Sequence, residues 1–392
     1  MDEKNLRRNG PPLRPRPSLP RRGRAAGLLL VVLATLASTT LAGSPGSGPQ
    51  KEPDPAAKSK PNIIVLPVLY YTPETSLAFG AGALMNYRLG QDKKNTRPSS
   101  LGLFVVYTLR DQIKFSVKPE IYLPGNAYIM SGNFKYDRFP QDFYGIGNDV
   151  SASGVESYTP QTFGLMLSLK RKIFGSIFAG IHYQLEGTHI QKVELGGMLD
   201  SGTIPGSEGG LISGLGFSLI WDDRDNVFFP RRGSYIQLAA EFFSSAFGSD
   251  YSYSNSGLDL RTYIPLFETH VLALQGIVRS IGGGEAPFYE LSMLGGASLL
   301  RGTYTGQYRD NALLAVQVEY RFPVWRRLSA AGFTGVGEVA PAFREFEWDF
   351  LKFSVGGGLR FRLDRREGTN VRLDFAWCKG STGLYMTIQE AF

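Results

Sequence analysis

Cysteine is almost absent from this chain of 392 residues: the single Cys378 cannot form an internal disulfide, so something other than covalent cross-linking must hold the fold. Histidine is nearly as scarce. His182 and His189 stand seven apart, which puts them on opposite faces of one regular strand, and His270 is remote from both in sequence. No ligand set recurs at metal-binding spacing and no nucleophile elbow is present, so the sequence offers no catalytic residues, no metal and no cofactor, and an enzyme is not supported. Long apolar runs are also lacking. The only one, Ala25–Ala37, has 13 residues, short of the roughly 20 that a helix needs to cross a bilayer, and this excludes a helical transporter.

The formal charge of +7 is unevenly placed. Residues 1–42 hold eight basic groups against two acidic ones, leaving 34 against 33 in the rest. A basic start, the apolar stretch and Thr40-Leu41-Ala42 read as a secretory signal peptide over 1–42. The high pI therefore belongs to the leader, and nucleic-acid binding loses its support. Residues 43–61 are Gly, Pro, Ser and charge, with nothing to bury, and read as a flexible periplasmic linker.

From Asn62 the texture changes to segments of about ten residues, apolar at every second position and punctuated by Gly, Pro, Asn and Asp. Leu314, Val316, Val318, Tyr320 and Phe322 oppose Gln317, Glu319 and Arg321; Val371, Leu373, Phe375 and Trp377 oppose Arg372 and Asp374. Sixteen such segments run from 63–71 to 383–392, most of them long enough to cross a membrane when tilted. An even count and long connections at 139–158, 192–210 and 284–311, all on one side, predict an all-β fold: a sixteen-stranded antiparallel transmembrane β-barrel over 62–392, with both chain ends in the periplasm. The inferred inward face carries Asp259, Arg261, Glu319, Arg321, Arg360, Arg362, Arg372 and Asp374, which argues against a purely hydrophobic cavity. Asp222-Asp223-Arg224-Asp225-Asn226 reads as a turn at a strand end in preference to a calcium site, because Arg224 opposes a cation. Pro67, in the first segment, has no N–H to give a neighbouring strand.

Two segments are more specific. One is Trp221–Gly233, with Asp223, Arg224, Asp225, Asn226, Pro230 and Gly233 in a "D-x-R-D-N…P-x-x-G" arrangement. The other is Gly295–Asp310, with Arg301-Gly302 and Tyr304, followed by Glu319-Tyr320-Arg321. Together they resemble the bacterial surface antigen domain, the barrel of the outer-membrane assembly superfamily that includes BamA and TamA. The resemblance spans most of 62–392. It implies an outer-membrane location, a sixth extracellular loop folded into the lumen, and an arginine on that loop, here Arg301, paired with an inward carboxylate, here Glu319. It also implies a first-to-last seam that opens toward lipid, hence assistance to insertion or translocation of protein or lipid there. A passive pore or structural surface antigen is the alternative.

The chain departs from the family in several places. Gly335 stands where an "F-x-D-x-G" pattern would put an aspartate, and the register of Glu338 differs. The aromatic residue after Arg-Gly is delayed by one, to Tyr304. Leu384, Met386, Ile388 and Phe392 fit a C-terminal assembly signal for the barrel assembly machinery, which Glu390 interrupts. The 19 residues of 43–61 are too few for a POTRA domain, so the expected partners are outer-membrane lipid, the assembly machinery and an unknown periplasmic protein.

Overall fold

The computed structural model describes residues 62–87, 96, 99–150, 154–227, 229–362 and 370–392. The expected leader and linker, 1–42 and 43–61, lie outside the described residues. In chain order the strands are β1 (Asn62–Thr72), β2 (Ser76–Tyr87), β3 (Ser99–Thr108), β4 (Ile113–Tyr122), β5 (Tyr128–Arg138), β6 (Gln141–Phe143), β7 (Glu156–Phe174), β8 (Ile177–Lys192), β9 (Gly209–Asp222) and β10 (Gly233–Phe243). They continue as β11 (Tyr253–Leu266), β12 (His270–Gly282), β13 (Ser292–Leu294), β14 (Tyr308–Asp310), β15 (Ala312–Trp325), β16 (Leu328–Ala340), β17 (Lys352–Arg362), β18 (Asn370–Cys378) and β19 (Ser381–Ile388).

Three of these, β6, β13 and β14, are short pieces within loops; the other sixteen form one antiparallel ring, each beside its sequence neighbour, closed by β1 against β19. Closure follows from the alternation. A strand apolar on one face and ionic on the other needs a greasy medium on one side and a polar space on the other, and only a closed ring pairs the backbone in hydrocarbon. The outward row of β9 shows it, with Phe217, Leu219 and Trp221 exposed, while inward Ser218 and Ile220 are buried. Outward Phe353, Val355, Phe375 and Trp377 are likewise exposed, whereas inward Ser354, Arg360, Arg372 and Asp374 are at most 3% exposed.

The ends of the ring differ. Connections 139–155, 193–208, 283–311 and 341–351 are long and share one end; 123–127, 175–176, 267–269 and 326–327 are short and share the other. Exposed Phe174, Trp221, Phe267 and Trp325 rim the short-turn end, as an aromatic girdle does at a membrane interface.

One boundary needs correction. The expected last strand 383–392 stops at Ile388, because Gln389 takes a positive φ of 73° and turns the chain into the lumen. Phe392 is therefore not in the outward row with Leu384 and Ile388; it is buried against Tyr263, Val271 and Ala273 on the far wall. Replacing Phe217 with Arg, on the outward face, is expected to lower stability by about 2–4 kcal/mol in detergent-to-denaturant titrations. Leu195→Arg, at an exposed loop position, should stay within about 0.5 kcal/mol.

Candidate functional site

The 283–311 connection descends into the barrel as a tongue. Its two sides pair as the β13–β14 hairpin, and its apolar residues Leu294, Leu300 and Tyr308 pack on Ile277, Leu313, Ala315 and Val339 of the wall. At the tip, Leu300 and Gly302 both have positive φ, 49° and 105°. Glycine is required at 302: a Cβ there would lie 2.9 Å from the Trp377 carbonyl carbon. That close approach lets the tip bond directly to the wall. The Gly302 N–H donates to the Tyr385 hydroxyl at 3.0 Å, the Ser381 hydroxyl to the Gly302 carbonyl at 2.5 Å, and the Ser354 hydroxyl to the Arg301 carbonyl.

Arg301 is 1% exposed and lies among charges. Its Nη2 is 2.7 Å from Glu319 and its Nη1 2.6 Å from Asp374, with the Phe333 ring centroid 3.3 Å from its guanidinium carbon. Both carboxylates are shared. Glu319 also meets Arg321 at 2.7 Å and Arg360 at 3.2 Å, and Asp374 meets Arg360 and, at 3.1 Å, Arg372. Glu390, beyond β19, reaches Arg360 at 3.3 Å and Arg321 at 3.7 Å. Each of these side chains is at most 3% exposed. Guanidinium groups so placed are tolerated only because several charge-assisted bonds replace their water.

The structure thus brings together Arg301, Gly302 and Glu319. It sets Tyr304 apart, against Tyr144 at 5.5 Å between centroids and with its hydroxyl accepting the Asp142 N–H at 3.4 Å. Asp374, on β18, supplies a second carboxylate. A side chain at Gly335 would meet Leu300 Cδ1 at 3.4 Å and Gln317 Cβ at 3.1 Å, so the tongue itself occupies that space. Glu338 lies on the other face of β16 and accepts the Glu347 N–H. Strand parity marks Asp374, Arg360, Arg321 and Arg372 as inward; nothing in the sequence marks Glu74, in the β1–β2 turn, whose carboxylate takes the Thr305 N–H at 2.8 Å and hydroxyl at 2.9 Å.

The other motif forms loop 223–232, at the short-turn end. Asp225 accepts the Arg231 and Arg232 N–H groups at 2.9 and 3.3 Å, Asn226 that of Phe229 at 2.9 Å, and Asp223 that of Ser234 at 2.6 Å. Arg224 is held by Asp222 at 2.8 and 2.9 Å. Pro230 is buried, and Gly233 has φ 98° where a Cβ would strike the Asp223 carbonyl at 2.6 Å. The acidic groups thus serve to shape the loop.

The seam is the remaining irregularity. Among the described residues β1 and β19 share one registered pair, Tyr71 with Met386, whereas β1 and β2 are paired from Asn62 to Thr72. Continuing that register would oppose Val68 to Gln389, where the chain has already turned inward. The outer edge of Asn62–Val68, with Pro67 in it, therefore faces no strand among the described residues. A cavity of about 290 Å³ lies here between Val68, Leu69, Tyr70, Thr72, Thr387 and Ile388.

A family profile described as the Omp85 superfamily domain matches residues 100–382. The fold is similar to that of BamA from Haemophilus ducreyi lacking POTRA domains 1–3, with a TM-score of 0.60 and 17% identity, over 84% of this chain and 70% of that one. It is also similar to CdiB from Acinetobacter baumannii, with a TM-score of 0.55 and 13% identity, over 83% of this chain and 59% of that one.

Glu319→Gln or Asp374→Asn leaves buried arginines short of a counter-charge and should cost about 3–5 kcal/mol of tongue stability. Limited proteolysis within 284–311 reads it, and protection equal to the unaltered protein would contradict the ion-pair account. Nearer the tongue base, burial and the Glu186 carboxylate push the Glu290 carboxyl up to about 8; Lys135 opposes the shift and Glu241 adds to it. Its neutral form is the one favoured in the fold, so its stabilisation is complete below the ordinary carboxylate value and is lost as pH rises toward 8. Protease protection of the tongue base should fall over that range, and Glu290→Gln should flatten the profile.

Proposed function

The chain belongs to the Omp85 superfamily and is an outer-membrane β-barrel; on that footing we propose that it assists the insertion or translocation of protein or lipid at its seam. The observation that carries this reading is the edge of Asn62–Val68 beside β19, which is unpaired among the described residues. Unpaired N–H and C=O groups facing hydrocarbon are costly, and a strand in transit would satisfy them by adding to the edge. A short last strand also leaves little ladder to break before the wall parts. Lipid next to such a gap loses the smooth apolar wall that the rest of the barrel offers, which lowers the barrier to reorganisation locally.

In this reading Arg301, Gly302 and Glu319 are a latch that keeps the tongue in the lumen, so that the wall next to the seam has a rigid interior to lean on. A leader over 1–42 delivers the chain across the inner membrane, and the linker 43–61 and a periplasmic partner feed the seam. The chain's own assembly depends on recognition of its C-terminal strand by the barrel assembly machinery. A passive pore is the competing reading.

The test is a seam lock. Tyr71→Cys with Met386→Cys joins the one registered pair, whose Cα spacing in an antiparallel ladder suits a disulfide. In proteoliposomes supplied with an unfolded outer-membrane barrel or a fluorescent phospholipid, the oxidised protein should lose its effect on insertion or lipid movement and the reduced protein should regain it. Equal activity in both states would overturn the seam reading, and a steady large conductance that ignores the lock would favour the pore.

A further inference from the structure

The tongue accounts for one closure of the lumen, but two other segments cross the barrel at its opposite end. Loop 223–232 leaves the wall between β9 and β10, yet the Phe229 ring lies 5.5 Å from the guanidinium carbon of Arg362, on β17. In the ring order β11, β12, β15 and β16 stand between β10 and β17. At about 4.8 Å per strand that is roughly 24 Å along the wall, more than a ten-residue loop tracing the rim would need to cover if it stayed beside its own strands. The contact is therefore a chord across the mouth. On the way the Arg231 Nη2 donates to the Glu268 carbonyl in the β11–β12 turn at 3.0 Å. Within the described residues of the loop, Asp223 and Asp225 accept backbone N–H groups and so fix its shape.

The C-terminal segment makes a second chord. It leaves β19 at Gln389, is gripped through Glu390 by Arg360, Arg321 and Asn370, and ends with Phe392 against β11 and β12 on the far side, where Arg321 Nη2 donates to the Phe392 carbonyl at 3.1 Å. Both chords lie below the Arg301–Glu319 cluster, on the periplasmic side.

We propose that loop 223–232 and residues 389–392 form a second closure of the lumen, at the periplasmic mouth, in addition to the tongue. Among the described residues, the C-terminal strap is tied by buried ion pairs. Loop 223–232 meets Arg362 through the Phe229 ring and the β11–β12 turn through Arg231. Its root is wired to the tongue through the lumen: Arg224 and Arg261 flank the Tyr235 ring at 4.6 and 5.3 Å, Arg261 pairs with Asp259 at 2.6 Å, Gln275 donates to Asp259 at 3.0 Å, and Gln317 donates to Gln275 at 2.6 Å and to the Ser298 carbonyl of the tongue at 2.8 Å. This inference gives the Asp223–Gly233 motif a task that the seam reading leaves unassigned, and it stands whether or not the seam transports anything.

Planar-bilayer recording of the full-length protein tests it. Arg301→Ala alone should give only brief openings, because the periplasmic closure remains. Adding Phe229→Ala and Arg231→Ala should convert these to a steady pore. A steady pore from Arg301→Ala alone, or a triple variant no more conductive than Arg301→Ala, would overturn the proposal, with heat-modifiable gel mobility confirming that each variant is folded. A second measurement does not depend on destabilising changes: Phe229→Cys and Arg362→Cys in the otherwise unaltered chain should be joined in membranes by a short bifunctional maleimide. No cross-link between them would mean that the loop does not cross the mouth.

Discussion

Hydrocarbon offers no partner to a backbone N–H or C=O, and most of this structure is a response to that fact. A chain whose sequence holds no apolar run long enough for a spanning helix can cross a bilayer only if its strands pair into a ring, and sixteen of them do. Ring closure turns the ionic residues of β11, β15, β17 and β18 inward, into a space that water and loops must fill. The tongue, the buried arginines and the straps are all occupants of that space. Among the described residues, the constraint is relaxed at the half of β1 that β19 does not cover.

What keeps β19 from covering it is the same cluster that holds the tongue. Glu390 and Phe392 are drawn into the lumen by Arg321 and Arg360, which also serve Glu319, the partner of Arg301. Tongue and seam are thus coupled through shared guanidinium groups: residues 389–392 turn inward toward them instead of lengthening the last strand. The energetic logic is that of buried ions. Each arginine is costly to remove from water, so each is met by more than one acceptor and each carboxylate is shared.

Much of this was legible in the sequence. Period-two alternation gave strand number and facing, because hydrocarbon and lumen impose opposite demands on adjacent side chains. The same parity put Glu319, Asp374, Arg360 and Arg372 inside. The Arg301-Gly302 pair stood out through its resemblance to a family motif. What stayed hidden required three dimensions. Parity says that Asp374 points inward, but only the descent of the tongue shows that it meets Arg301. Gly335 looked like a missing carboxylate, whereas Leu300 fills its place. Phe392 looked like the end of an outward row, because nothing local announces that Gln389 will turn with positive φ and that Glu390 has arginines waiting. Glu74 and the reach of Phe229 to Arg362 depend on loops, where periodicity carries no information.

The central claim is that charge pairing in the lumen holds the end of the chain away from β1 and so leaves the seam half closed. Amide hydrogen exchange of the protein in lipid bilayers measures this directly. The account predicts rapid exchange at the outer edge of Asn62–Val68 beside slow exchange through β2 and β15, and slowing of the β1 amides when Glu390→Ala frees the C-terminal residues to extend β19. Protection of Asn62–Val68 equal to that of the interior strands, unchanged by Glu390→Ala, would contradict it.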